Sequence, residues 1–236
     1  MFFRRVSIRS VLIWILRQCS GFSYVWIALI LFCVPVILLH VLLWPSSLDY
    51  LSLSPDRWWA LISSAFIHRD LAHLFNNLWA FVRYTVSFVF VNLLGSVERK
   101  RYWSKTFLCV SFVGGIIAGG IELLARMPTG WNGTIVGASG IVYSAIGVLF
   151  ASVLIVSTFY VRIFLTKQGR RLGLRNVADL LLNVLVLVFI VLELITSTEK
   201  FLSFSPKAAV YSHSYGFVIG FCISLALFFN FQNKKQ

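Results

Sequence analysis

Ser139 in GASG, His213 in SHSYGFVIG, and His73 with Asn77 in HLFNN each stand near the start of a separate apolar segment. Hydrocarbon penalises uncompensated polar side chains, so polar groups held at one depth on separate helices point to a shared site. A serine hydroxyl, a histidine base and additional N–H donors are the parts needed for acyl transfer: nucleophile, proton carrier and oxyanion stabilisers. Ser139 lies between Gly137, Ala138 and Gly140 at a loop-to-helix junction. Glycines there permit unusual dihedrals, and a helix start offers free backbone N–H groups to an oxyanion. The same position also suits a serine that caps the following helix. Tyr143 follows one turn on, on the same face, where its ring can buttress an imidazole.

A neutral His213 within reach of Ser139 would accept the hydroxyl proton and return it to a leaving amine. Taken alone, it equally fits a core histidine bonded to a backbone carbonyl. No acidic residue is placed to orient it, since spacing pins neither Glu193 nor Glu199 to the site. The expectation is therefore a Ser–His dyad, not a triad. His73 and Asn77 share one helical face at i, i+4, and both carry N–H groups suited to an oxyanion hole. That spacing also fits two metal ligands, but no HEXXH pattern or third ligand follows, so neither a metal nor a cofactor is expected. His68 reads as a structural residue of the preceding loop. Neither His40 nor Arg83 has a partner that spacing identifies. Asp179 is expected to pair with a basic residue of the neighbouring loop.

These groups need elements to position them. With 59% hydrophobic and only 12% charged residues, the 236-residue chain suits a bundle of membrane helices better than a soluble domain. A span needs about 20 mostly apolar residues, and six runs qualify: 24–44, 71–94, 107–124, 139–160, 177–195 and 208–229. The net charge of +13 does not signal nucleic acid, because the basic residues punctuate the ends of apolar runs instead of forming one stripe. Of the Lys and Arg residues flanking the runs, fifteen fall on the side of the N-terminus, in the arm, the expected loops 98–105 and 162–175 and the tail, and five on the other. Both termini are therefore expected in the cytoplasm, with Ser139, His73 and His213 near the outer ends of their helices.

Residues 1–22 read as an amphipathic arm on the cytoplasmic face, 23–230 as one membrane domain and 231–236 as a cytoplasmic tail. The four cysteines lack a C-x-x-C spacing and read as small apolar residues. The first outer loop, 45–70, is rich in Trp and is expected to lie in the interface. The small-xxx-small pairs Gly115/Gly119, Gly140/Ser144 and Gly216/Gly220 should let helices approach closely, the last pair on the face of His213.

Together, WWALISSAFIHRDLAHLFNN with His73 and Asn77, GASG with Ser139, the following Tyr143, and H-x-x-G-x-x-x-G with His213, Gly216 and Gly220 resemble the rhomboid intramembrane serine proteases. The likeness covers about residues 58–220. GASG alone is weak, whereas all the motifs in this order at these helix ends are specific. The resemblance implies an all-α, six-transmembrane-helix bundle with an interfacial first outer loop. It implies Ser139 as nucleophile, His213 as base and acid, and the Ser139 N–H, His73 and Asn77 as oxyanion donors. Gly137 and Gly140 would frame the serine, Tyr143 would pack on the base, and Gly216 and Gly220 would bring the sixth span against the fourth. Substrates would be single-pass transmembrane proteins admitted laterally from the bilayer between the second and fifth spans, with Phe201 and Phe204 as a cap. Glu98 would tie down the inner end of the second span.

The chain departs from the family where Trp59 is followed by Ala60 instead of Arg, and in the length of its second span. Two other readings compete. A catalytically inactive relative that binds or escorts membrane clients would typically lack the serine or the histidine. A small transporter would carry polar groups across the membrane, and here they cluster at one end.

Overall fold

The computed structural model describes residues 18–43, 48–165, 174–196 and 210–233. Six long helices carry the fold: α1 (Ser23–Leu43), α2 (Leu71–Asn92), α3 (Val97–Arg126), α4 (Ser139–Leu165), α5 (Leu174–Thr196) and α6 (Val210–Asn233). Each contains a stretch long and apolar enough to cross a membrane. Among the described residues there is no strand, and an isolated bridge joins Leu53 to Ile135. The chain is thus an all-α bundle with helices of membrane length.

α4 is the axis. Its most apolar window is 78% buried, against 17–44% for the other five, so it is the helix that α2, α3, α5 and α6 pack around. Close approach is written into the glycines. A Cβ on Gly220 would lie 2.2 Å from the Ser144 carbonyl oxygen, and one on Gly216 would lie 2.6 Å from that of Gly140. The α6–α4 contact is therefore backbone against backbone, where dispersion and not solvent exclusion holds helices together. On α3 the contact with α4 is made by Gly114 and Gly115, whereas Gly119 faces Leu61 of the loop before α2 at 4.0 Å. The Gly115/Gly119 pair therefore serves two different neighbours.

α1 lays one stripe, Val25, Ala28, Phe32, Val36 and His40, against the bundle at helical spacing. The Phe32 ring stacks on Phe81 of α2 at 4.0 Å and meets Phe112 of α3 edge-on at 6.5 Å. α5 is the most peripheral of the five outer helices, with Leu181, Leu185, Leu192 and Ile195 exposed.

α3 is much longer than the apolar run at 107–124. It begins at Val97, where the Ser96 hydroxyl caps it by accepting the Arg99 N–H at 3.2 Å. Residues 98–105 are therefore helix, not loop. Lys100 is fully buried, donating to Gln18 and lying over the Phe22 ring at 5.4 Å, so it is no loop charge. Ser104 adds a hydrogen bond to the Gly21 carbonyl at 3.1 Å, which docks residues 18–22 on α3. The rest of the N-terminal arm lies outside the described residues.

Glu98 sits exposed in the first turn of α3, and the far end of α2 is fastened by Asn92, whose amide donates to Ser152 of α4 at 2.9 Å. Asp179 accepts from the Tyr160 hydroxyl of α4, a partner the basic-loop expectation did not include. α6 runs to Asn233, into the stretch assigned to a tail.

The loop before α2 folds into a one-turn helix, Leu48–Leu51, and two short 3-10 helices, Pro55–Leu61 and Ser63–Ala65. It buries Leu53, Ala60 and Ile67 while leaving Tyr50, Trp58 and Trp59 exposed. Arg57 braces it by donating to the Ser52 carbonyl at 3.3 Å. Leu53 and Ile135 exchange two backbone hydrogen bonds, and Arg69 donates to the Thr134 carbonyl at 3.0 Å, so this loop is tied to the one before α4.

Candidate active site

α4 starts at Ser139. The Val142 N–H donates to the Ala138 carbonyl at 3.1 Å, which makes Ala138 the cap and Ser139 the first helical residue. The Ser139 N–H therefore belongs to the set that has no partner within its own helix. Gly137 takes φ of 117°, a conformation that favours glycine, and donates its N–H to the Ser64 carbonyl at 2.9 Å. A Cβ there would meet His73 Cε1 at 2.6 Å, so glycine also makes room for that ring.

His73 is carried by the first turn of α2. Asp70 caps the helix by accepting the His73 N–H at 2.7 Å, and Asn77 follows one turn deeper on the same face. His213 stands in the first turn of α6, with its ring stacked on Tyr143 of α4 at 4.3 Å and 18° between planes. Gly216 and Gly220, one and two turns on, set the approach of this helix to α4.

A cavity of about 450 Å³ opens among these helices, and Ser139, His213, His73, Asn77 and Tyr143 all line it. Three helices separated in sequence thus present a hydroxyl, two imidazoles and a carboxamide to one space. Arg83 of α2 and Glu193 of α5 line the same cavity and form an ion pair. Arg83, for which spacing offered no partner, is paired across the bundle. Glu199, Phe201 and Phe204 lie outside the described residues. Among the described residues, no cluster of three His, Cys, Asp or Glu side chains is placed to hold a metal ion.

Two residues stand behind the cavity: His68, expected as a structural loop residue but without a named partner, and one that the sequence did not single out. His68 is fully buried, with Nε2 at 2.9 Å from the Asn77 amide nitrogen and 3.4 Å from the Ala138 N–H. A ring nitrogen that accepts from both belongs to a neutral imidazole. Burial pushes its pKa from 6.5 down to about 3, and charge on His73 and His40 acts in the same direction. His68 thereby orients Asn77 and touches the turn that delivers Ser139. The signal in the sequence was the H-x-x-x-x-H-x-x-x-N spacing of His68, His73 and Asn77, which the loop position of His68 obscured.

The second is Glu122 of α3, fully buried, which pairs with Arg126 at 2.9 Å and accepts the Ser212 N–H at 3.0 Å. Its carboxylate holds the start of α6 next to His213. Ninety residues separate the two in sequence, so no local pattern revealed it.

Six helices of membrane length around a partly polar cavity define a multi-pass integral membrane protein. A family model, the Rhomboid domain, matches residues 55–230, and the chain belongs to the rhomboid family. No curated protein and no solved structure matches it. Members of this family are typically intramembrane serine proteases acting on membrane substrates in the bilayer.

Proposed function

We propose that this protein is an intramembrane serine endopeptidase that cuts peptide bonds in or near substrate transmembrane helices. The observation that carries the reading is the convergence of Ser139, His213 and the donors His73 and Asn77 on one cavity, with His213 stacked on Tyr143. Ser139 Oγ attacks the scissile carbonyl carbon while His213 takes the hydroxyl proton. The Ser139 N–H, His73 and Asn77 donate to the oxyanion of the tetrahedral intermediate. Collapse breaks the C–N bond, His213 protonates the departing amine, and an acyl-enzyme on Ser139 remains. Water, deprotonated by His213, releases the acyl product and restores the serine.

The bundle is read as residues 23–230, between a cytoplasmic arm and a short tail, with both termini in the cytoplasm and the site toward the outer face of the cell membrane. Substrates are single-pass transmembrane proteins that enter from the bilayer between α2 and α5. The test is cleavage of a labelled transmembrane substrate by detergent-solubilised protein beside Ser139→Ala and His213→Ala, with fluorophosphonate labelling in the same samples. Cleavage and labelling in the parent, and loss of cleavage in both variants, is the expected result. Cleavage that survives Ser139→Ala sinks the mechanism. Absence of both across several substrates favours an inactive relative that binds membrane clients.

A further inference from the structure

Arg83 is a permanent positive charge well inside a membrane-length helix, where a charge is costly unless it is paired or has a task. Its Nη2 donates to Glu193 of α5 and to the Tyr84 hydroxyl at 3.0 Å. The guanidinium also lies over the rings of Tyr84 and Phe189, at 5.0 and 5.1 Å. Nη1 makes no hydrogen bond to the described residues, and Nε is buried without a partner among them. A group with five donors thus has Nη2 engaged and Nε shut away from the cavity, which leaves the two N–H groups of Nη1 to offer.

The pair borders the cavity of Ser139, and both side chains are partly exposed, 31% for Arg83 and 24% for Glu193. Glu193 is the sole α5 residue in the described cavity wall, so on the side between α2 and α5 the wall is this ion pair. Near it the lining is Ala80, Val142 and Ile146, together with Tyr84, whose hydroxyl Arg83 already engages. From His73 to Arg83 the α2 helix descends about 15 Å, and from Ser139 to Ile146 α4 descends about 10 Å. An extended peptide covers roughly 3.3 Å per residue, so this distance is three to five residues.

We propose that Arg83, held in place by Glu193, is a specificity-determining residue that binds a side-chain oxygen acceptor of the substrate. The acceptor, a carboxylate or carboxamide, sits three to five residues from the bond presented to Ser139, on the side running deeper into the bilayer. The proposal rests on the protease reading for what that bond is. Arg83 has no acceptor of its own, and Glu193 already spends its charge on Arg83, which makes an acceptor and not a cation the matching chemistry. A charge-assisted hydrogen bond in this setting gives about tenfold in affinity over an apolar residue of similar size.

The probes are synthetic transmembrane peptides that carry Leu, Asn or Asp at one of those positions, measured by fluorescence anisotropy on the Ser139→Ala protein in detergent. Asn and Asp peptides should bind about tenfold more tightly than the Leu peptide at one position. Arg83→Lys should keep part of that preference. Arg83→Leu/Glu193→Leu, which removes both charges together and leaves no lone ion, should abolish it. A monodisperse, cooperatively melting double variant certifies that the fold is intact. Equal binding of all peptides, no binding of any, or a preference that persists in the double variant overturns the proposal. Failure of the protease reading looks different: the binding preference is present, but the parent neither cleaves nor takes up fluorophosphonate.

Discussion

Gly220→Ala tests whether backbone contact between α6 and α4 is what carries His213 into place. The added Cβ would lie 2.2 Å from the Ser144 oxygen and 2.9 Å from its Cα. Ordinary contact needs about 3.5 Å, so α6 must withdraw from α4 by about 1 Å. The obstacle is the backbone of the most buried helix, which has no rotamer to swing away. Gly216, one turn nearer the site, is also tight against Gly140 at 2.6 Å, so the withdrawal reaches His213 about 10 Å further along the helix. Overpacking of this kind costs about 1–3 kcal/mol of stability. A 1 Å displacement of a reacting group costs about 100-fold in rate. On the proposed protease reading, cleavage of a transmembrane substrate should therefore fall about 100-fold, while the melting temperature in detergent drops by only several degrees. Gly119→Ala is the control, because its nearest neighbour stands at 4.0 Å, and it should behave as the parent. Parent-like cleavage and melting in Gly220→Ala would refute the reasoning, as would an equal loss in Gly119→Ala.

Two further expectations concern the residues behind the cavity. His68 stays neutral in the fold down to about pH 3, whereas the unfolded chain takes up a proton near the ordinary value of 6.5. Protons therefore favour the unfolded state between those values, so its contribution is fully present above 6.5 and is lost as pH falls toward 3. Melting temperature against pH should show this decline, and His68→Gln, which retains an acceptor but does not titrate, should flatten it; an unchanged slope contradicts the assignment. Glu122→Leu removes the buried carboxylate that pairs with Arg126 and accepts the Ser212 N–H, and should destabilise the protein by about 3–5 kcal/mol. Glu122→Gln, which still accepts from Ser212, should lose markedly less, and equal melting of the two variants would show that the carboxylate does not anchor α6.

The six spans and the residues suited to chemistry are legible in the chain alone, because both are local properties. Hydrocarbon thickness fixes run length, and a polar group in an apolar run stands out wherever the chain later goes. The helix starts at Leu71 and Ser139 coincide with the first residues of their apolar runs, and GASG and HLFNN mark the turns that begin α4 and α2. The start of α3 was hidden because Lys100 looks like a loop charge until Phe22 and Gln18 are seen to cover it.

The partners emerge only when the helices pack. Arg83 meets Glu193 across 110 residues, Ser212 meets Glu122 across 90, and His68 meets Ala138 across 70. Each buried polar group must find a partner, and the sequence states that need. Which partner it finds depends on how far each helix is rotated, tilted and sunk against α4. Those angles are set by where glycine lets backbones touch, so the pairing exists only once the helices have packed.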